Sequence, residues 1–313
     1  MKKKIQLILL FLILILGVYY FSQKKEELQQ LKNLTAYQIS VASFIILLSH
    51  FIAGFKFKKL FNSFNVDLTI HEWFGLTQIR RLGNLLFFKS GTLTSAYYLK
   101  THHQLSYPRF IVAMVIQKLL EFFSLVLMVI ISGVYFYFYH DFSLLYTFVL
   151  CILLAGLALF LLMSSWKMPR GESRFFKNIQ KVLDIWYNFK NDKLLVSLLV
   201  FLEIVHLFAL GTRFFVAFHL LEHPVNYIDC IIMSLVVSLS GFIGLVPAGI
   251  GIREIAVGLS AGYMNYSFDY GIIATSFDRI LATIWFSIFG FIYFHVLHLK
   301  MQHKENKIIC ESS

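Results

Sequence analysis

The sequence is poor in charged residues and in cysteine. Charged residues make up 14% of the 313 residues, whereas hydrophobic residues make up 58%. The three cysteines are scattered and form no CxxC pair, which argues against both a disulfide framework and a cysteine-based metal site. We also find no nucleophile–base set, no soluble-type phosphate loop and no metal-ligand spacing. The sequence therefore predicts no catalytic residue, no cofactor and no bound metal.

Long apolar runs dominate what is present. Several reach the roughly 20 residues that a helix needs to cross about 30 Å of hydrocarbon, and no remaining stretch is large enough for a soluble domain. The sequence predicts an all-α, polytopic helical membrane protein that forms a single integral membrane domain over residues 1–313. The predicted spans are 5–21, 36–55, 110–139, 142–163, 194–220 and 271–297.

The distribution of basic residues predicts the topology. The net charge of +11 falls in loops between spans, which the positive-inside rule places in the cytoplasm, so it does not indicate nucleic-acid binding. The loop 166–193 carries seven basic and three acidic residues, a net +4. It is either a linker helix or an amphipathic helix on the membrane surface. We expect a multi-pass membrane protein with both termini in the cytoplasm.

Two apolar stretches contain helix breakers and predict broken or re-entrant hairpins, over residues 68–99 and 227–263. In the second, Pro247, Gly249 and Gly251 interrupt the apolar run just before Arg253. A helix that restarts after such a break directs unpaired N–H groups and a positive dipole end at a ligand, which suits a phosphate or carboxylate. The alternative is a packing hinge. The chain has six crossings if 227–263 is re-entrant, and eight if it spans twice.

The two broken stretches align with each other. Gly83 and Gly91 align with Gly241 and Gly249 at a common offset of 158 residues, and a long aromatic-rich span follows each pair. In the predicted topology, these two spans cross the membrane in opposite directions. The sequence thus predicts an inverted repeat of units 68–139 and 227–297, a layout common in transporters whose sites lie where the repeats meet. A chance match is the alternative.

Charged residues near the second break require partners because an unpaired charge inside a membrane is costly. Asp278 and Arg279 are adjacent, so their side chains point in different directions from the last span. We expect Asp278 to pair with Arg253, and Arg279 to pair with Glu254, across the broken helix.

Polar residues also lie within two other spans. Lys118 and Glu121 are three residues apart on one helix and are expected to neutralise each other. Glu203, His206 and Arg213 form one stripe on an apolar helix. Such a stripe lines a polar path for protons or headgroups, or it holds helices together.

The second break resembles the signature of the lysylphosphatidylglycerol synthase membrane-region family, which includes YbhN-type inner-membrane proteins and the flippase half of MprF. That signature is a P-x-G-G-[IV]-G-x-[RK]-E run followed by an arginine on the last long helix. Its counterparts here are Pro247, Gly249, Gly251, Arg253, Glu254 and Arg279, with Ala248 where the family usually has glycine.

The family's N-terminal signature is weaker in this chain. Lys89 and Gly91 remain, but Phe88 and Thr92 replace a proline and an acid, and Gln117-Lys118 replaces a Glu-Arg pair. The resemblance implies an integral membrane protein of the bacterial cytoplasmic (inner) membrane that handles or moves lipids. Synthase activity is not expected, because no soluble aminoacyl-transfer domain is found.

The functional hypothesis is a lipid flippase-like transporter for an anionic polar lipid or a polyprenyl-phosphate-linked substrate. Lys89, Arg253 and Arg279 would meet the phosphate. Anionic membrane lipids are the expected partners, alongside a second copy of the chain or an envelope-synthesis protein. The alternatives are an accessory subunit or enzyme of glycolipid and cell-envelope synthesis, and a structural scaffold.

Overall fold

The structure, a computed structural model, describes residues 34–86, 89–139, 189, 191–242 and 249–312. These residues form eight helices and no strands, which confirms the all-α class. The helices are α1 (Ala36–Asn62), α2 (Ile70–Leu86), α3 (Ser90–His103), α4 (Tyr107–Tyr139), α5 (Lys193–Leu220), α6 (Tyr227–Ser240), α7 (Ile252–Tyr263) and α8 (Phe268–Ser312).

Four of these helices are long and apolar enough to cross a membrane. They are α1, α4, α5 and α8, whose apolar windows have mean hydropathies between 1.8 and 2.4. Large apolar side chains such as Phe44, Ile111 and Phe291 are exposed on them, as expected of helices that face lipid rather than water. The predicted spans 5–21 and 142–163, and most of the loop 166–193, lie outside the described residues.

Helices α6 and α7 are too short to cross the membrane alone. They contain 14 and 12 residues, so at 1.5 Å per residue they measure about 21 and 18 Å against about 30 Å of hydrocarbon. The Asn226 side chain accepts a hydrogen bond from the Ile228 N–H and caps α6. The two helices share one buried apolar cluster that includes Met233, Val257 and Ala261. These short lengths favour a re-entrant hairpin at the second break over two separate membrane spans.

Helices α2 and α3 form the other hairpin, where the sequence predicts one. Their backbones approach closely at two glycines, because a Cβ atom built on Gly83 would lie 2.5 Å from the Cα of Gly91. The order of two short helices followed by a long one then occurs twice, in α2–α3–α4 and in α6–α7–α8. The described helices therefore have the order that the predicted repeat requires. The inverted orientation of its two units remains a prediction.

The contacts divide the chain into two compact units. Unit A contains the described residues up to Phe51, those of Phe74–Thr94 and those of His206–Val296. Unit B contains Ile52–Trp73, the described residues of Ser95–Val205 and those from Leu297 onward. Each unit has its own buried side chains, for example Phe214 and Phe218 in unit A and Phe57, Phe61 and Leu99 in unit B. The single membrane domain stays a prediction.

The glycine contact in unit A predicts a stability effect. A methyl group at Gly91 would collide with the backbone of Arg80, so Gly91→Ala should destabilise the protein by about 1–3 kcal/mol through overpacking. Thermal unfolding of the detergent-solubilised protein measures this effect. Gly262→Ala is the matched control, because a Cβ there would meet its nearest neighbour at 3.9 Å. Equal melting temperatures of the two variants would contradict the close packing.

Candidate functional site

A buried cluster of ion pairs in unit A is centred on Asp278 of α8. Arg213 of α5 donates from Nε to Oδ1 at 2.7 Å and from Nη2 to Oδ2 at 2.8 Å, a bidentate geometry. Arg213 also donates from Nη1 to the Ser49 hydroxyl at 3.1 Å. Both charged side chains are almost fully buried, at 6% and 2% exposure. Both carboxylate oxygens of Asp278 therefore accept a hydrogen bond from Arg213, a partner that the sequence analysis did not predict.

Arg253 of α7 makes the predicted pair with Asp278, but its side chain is only partly satisfied. Its Nη2 donates to Asp278 Oδ2 at a longer 3.3 Å, and its guanidinium lies 5.6 Å from the ring centre of Phe214. The Arg253 Nε is buried and has no hydrogen-bond partner within the described part of the chain. With its side chain 23% exposed, Arg253 has donor capacity left for an anion.

Arg279 and Glu254 form the second predicted pair, which also closes the start of α7. Arg279 Nη1 donates to Glu254 Oε1 at 2.7 Å and to the Gly249 carbonyl at 3.3 Å. The other oxygen of Glu254 accepts the Gly251 N–H at 2.8 Å. The Gly251 N–H, which the sequence predicts as a donor to an anionic ligand, therefore already donates to Glu254.

The backbone of the break depends on glycine. Gly249 and Gly251 have φ angles of +66° and +82°, a left-handed region that other residues enter only at a cost. A Cβ on Gly249 would meet nothing within 4 Å among the described residues, so glycine is required there by its φ angle and not by a close contact with them. Pro247, the third predicted breaker, lies outside the described residues.

The cluster has an excess of positive charge. Three arginines face the two acids Asp278 and Glu254, which leaves a net +1. Arg81 of α2 adds a fourth arginine, close enough to Arg213 and Arg253 for mutual repulsion. In a low-dielectric interior such an excess attracts an anion strongly. Arg81 is not among the site residues that the sequence predicts, because nothing in the local pattern places it near the second break.

The cavity beside the Arg213–Asp278 pair is too small for a lipid headgroup. It measures about 10 Å³, which is room for about one water molecule. A larger anion does not fit this cavity, whereas the side chains of Arg253 and Arg279 are partly exposed, at 23% and 17%.

The remaining predicted site residues are Lys89, Glu203 and His206. Lys89 is an exposed residue at the turn between α2 and α3, with a φ angle of +60°. In unit B, Glu203 binds Lys56 at 2.6 Å, and both side chains are buried. His206 is half-buried in unit A. The buried partners of Glu203 and Arg213 favour the interpretation of the stripe as contacts between helices.

The predicted neutralisation within α4 is confirmed. Lys118 Nζ lies 2.7 Å from Glu121 Oε2, and the two side chains are 58% and 26% exposed. Unlike the buried cluster, this pair is accessible, so the long Lys118 side chain is free to change the position of its ammonium group.

Comparison with known proteins supports the family resemblance seen in the sequence. The family model described as the lysylphosphatidylglycerol synthase TM region matches residues 5–290. No curated protein and no solved structure matches the chain.

The two kinds of ion pair predict different responses to charge removal. Asp278→Asn leaves the guanidinium groups of Arg213 and Arg253 without their buried counter-charge, so we expect a loss of about 3–5 kcal/mol in stability. Glu121→Gln, the control in the exposed pair, should cost less, because the accessible and flexible Lys118 side chain can move its ammonium group toward polar surroundings. Thermal unfolding in detergent compares them, and an equally small loss in both variants would show that the cluster is not held by Asp278.

Proposed function

Because the chain belongs to the lysylphosphatidylglycerol synthase TM region family, we propose that it translocates an anionic polar lipid, whose phosphate is met by Arg253. Family membership and the four long apolar helices make it a membrane-embedded protein of lipid or cell-envelope processes. The single observation that supports transport is the incompletely paired Arg253 in an arginine-rich cluster beside a glycine break. Charged groups within membrane segments commonly mark substrate pathways.

The ion pairs suggest how an anion would bind without dismantling the cluster. Asp278 keeps two short hydrogen bonds from Arg213 when Arg253 moves away. Arg253 gives up only one contact of 3.3 Å, and a lipid phosphate would replace it with shorter, charge-assisted hydrogen bonds. Arg279 remains tied to Glu254 and contributes through its field. In this mechanism Arg253 exchanges partners, whereas Arg213 and Arg279 hold the framework.

The proposal also covers the substrate, the location and the partners of the protein. The substrate is an anionic phospholipid or a polyprenyl-phosphate-linked lipid, and Lys89 is its first cationic contact on the α2–α3 turn. The protein resides in the bacterial cytoplasmic membrane with both termini in the cytoplasm. It acts as a homo-oligomer or beside an envelope-synthesis partner.

A second candidate function is an accessory subunit that holds a lipid acceptor for a separate enzyme of glycolipid or envelope synthesis. A cleft of about 310 Å³ in unit B favours this alternative. Its lining includes Asn65, Arg109 and Asp192, a polar set with one cation and one carboxylate. Such a surface suits a polar ligand or partner without requiring lipid movement.

A scrambling assay in proteoliposomes tests the transport proposal. Fluorescent phosphatidylglycerol or phosphatidylcholine is incorporated, and the fraction of label that reaches the outer leaflet is followed by chemical quenching. We expect transport of the anionic lipid to exceed that of the zwitterionic lipid. Arg253→Gln should slow it by about tenfold or more, since a hydrogen bond to a charged group is worth about 1.5–3 kcal/mol. Arg253→Lys should retain part of the activity.

Lys118→Ala is the matched control, because Lys118 is a membrane-helix cation whose partner is the exposed Glu121. Its transport rate should equal that of the wild type, and the melting temperatures of all variants should be similar. An Arg253→Gln protein with wild-type transport would refute the assigned site. A wild type that moves no tested lipid would refute transport and leave the accessory function in its place.

A further inference from the structure

Three potential metal ligands meet in unit B, where the first turn of α2 lies beside the last turn of α3. They are the carboxylate of Glu72 and the imidazoles of His102 and His103. The Glu72 side chain is 4% exposed, and the two histidines are 25% and 17% exposed. The carboxylate, the His102 Nδ1 and the His103 Nε2 are therefore buried, while other atoms of the two imidazole rings are partly exposed.

The Glu72 carboxylate is held in place by neighbours on both sides. Its Oε2 accepts the Thr69 N–H and the Thr69 hydroxyl, each at 2.9 Å. Its Oε1 accepts the Tyr98 hydroxyl at 2.8 Å. Hydrogen bonds of this kind orient the carboxylate ligands of metal sites and are a regular part of them. The Tyr98 ring also lies parallel to the His102 ring, 5.2 Å away, which fixes the orientation of that imidazole.

The distances within the group are those of ligands around a metal rather than of a tight hydrogen bond. Glu72 Oε1 lies 3.4 Å from His103 Nε2 and 3.8 Å from His102 Nδ1. A charge-assisted N–H···O bond is shorter, at about 2.7–2.9 Å. Ligand atoms about 2.0 Å from a tetrahedral zinc ion stand about 3.3 Å from one another. All three atoms lie within 4.8 Å of one another, so a small contraction completes the site.

We infer that Glu72, His102 and His103 form a zinc-binding site that joins the start of α2 to the end of α3. Two imidazoles and one carboxylate are a known three-ligand set for zinc, with a fourth position left for water or another ligand. The inference is independent of the transport proposal, because these residues belong to unit B and Arg253 belongs to unit A. The sequence analysis predicted no metal, since the ligands come from two helices and show no local spacing motif.

Zinc binding by the purified full-length protein tests the inference. The protein is stripped with a chelator, equilibrated with zinc sulfate and freed of excess ion, and its zinc content is measured by mass spectrometry. We expect about one zinc ion per chain to be lost in His103→Ala and in His102→Ala relative to the wild type. Glu72→Gln should lose the same ion. Zinc should raise the melting temperature of the wild type but not of these variants.

His71→Ala is the matched control, because His71 is an exposed histidine next to Glu72 and is not one of the three ligands. It should bind as much zinc as the wild type and show the same thermal shift. Equal zinc contents in the wild type and in both histidine variants would overturn the inference. So would a wild type that binds no zinc, because the group would then be a carboxylate–imidazole contact only.

Discussion

The buried contact between Asp278 and Arg213 is the interaction on which the unit A cluster depends. Removing two charges from water is expensive, and the cost is offset only when geometry is good and the remaining polar atoms are bonded. Both oxygens of Asp278 accept short bonds from Arg213, and the Ser49 hydroxyl takes a further donor. Because this pair is neutral by itself and Glu254 balances Arg279, the charge of Arg253 is left without an acid of its own.

Glu254 determines how that additional charge is distributed. Its carboxylate satisfies both the start of α7 and the guanidinium of Arg279, so the glycine break is closed by the protein's own acid. Arg253 shares the carboxylate that Arg213 already occupies. The two cations share a single negative charge, and the longer contact of 3.3 Å is that of Arg253. The partial exposure of its side chain follows from the same arrangement.

The sequence predicted the features that depend on local pattern. Run length and hydropathy gave the long helices, because a membrane span must be apolar over a fixed length. The pairs Arg253–Asp278 and Arg279–Glu254 were predicted because adjacent charges in an apolar span need separate partners. Arg213 was placed on a stripe with Glu203, and its true partner was missed, since that partner is 65 residues away on another helix. Pairings at that separation depend on how helices pack, which periodicity does not encode.

A transport site must bind its substrate and also release it, so its cation needs an internal partner of intermediate strength. An arginine held as Arg213 is held, by two short bonds to a buried acid, would not give up that acid for a phosphate. An arginine with no internal partner would retain the phosphate. Arg253 lies between these limits, with one longer bond and a contact to the Phe214 ring. The sharing of Asp278 by two arginines thus supplies both the framework and the exchangeable contact that the proposed function requires.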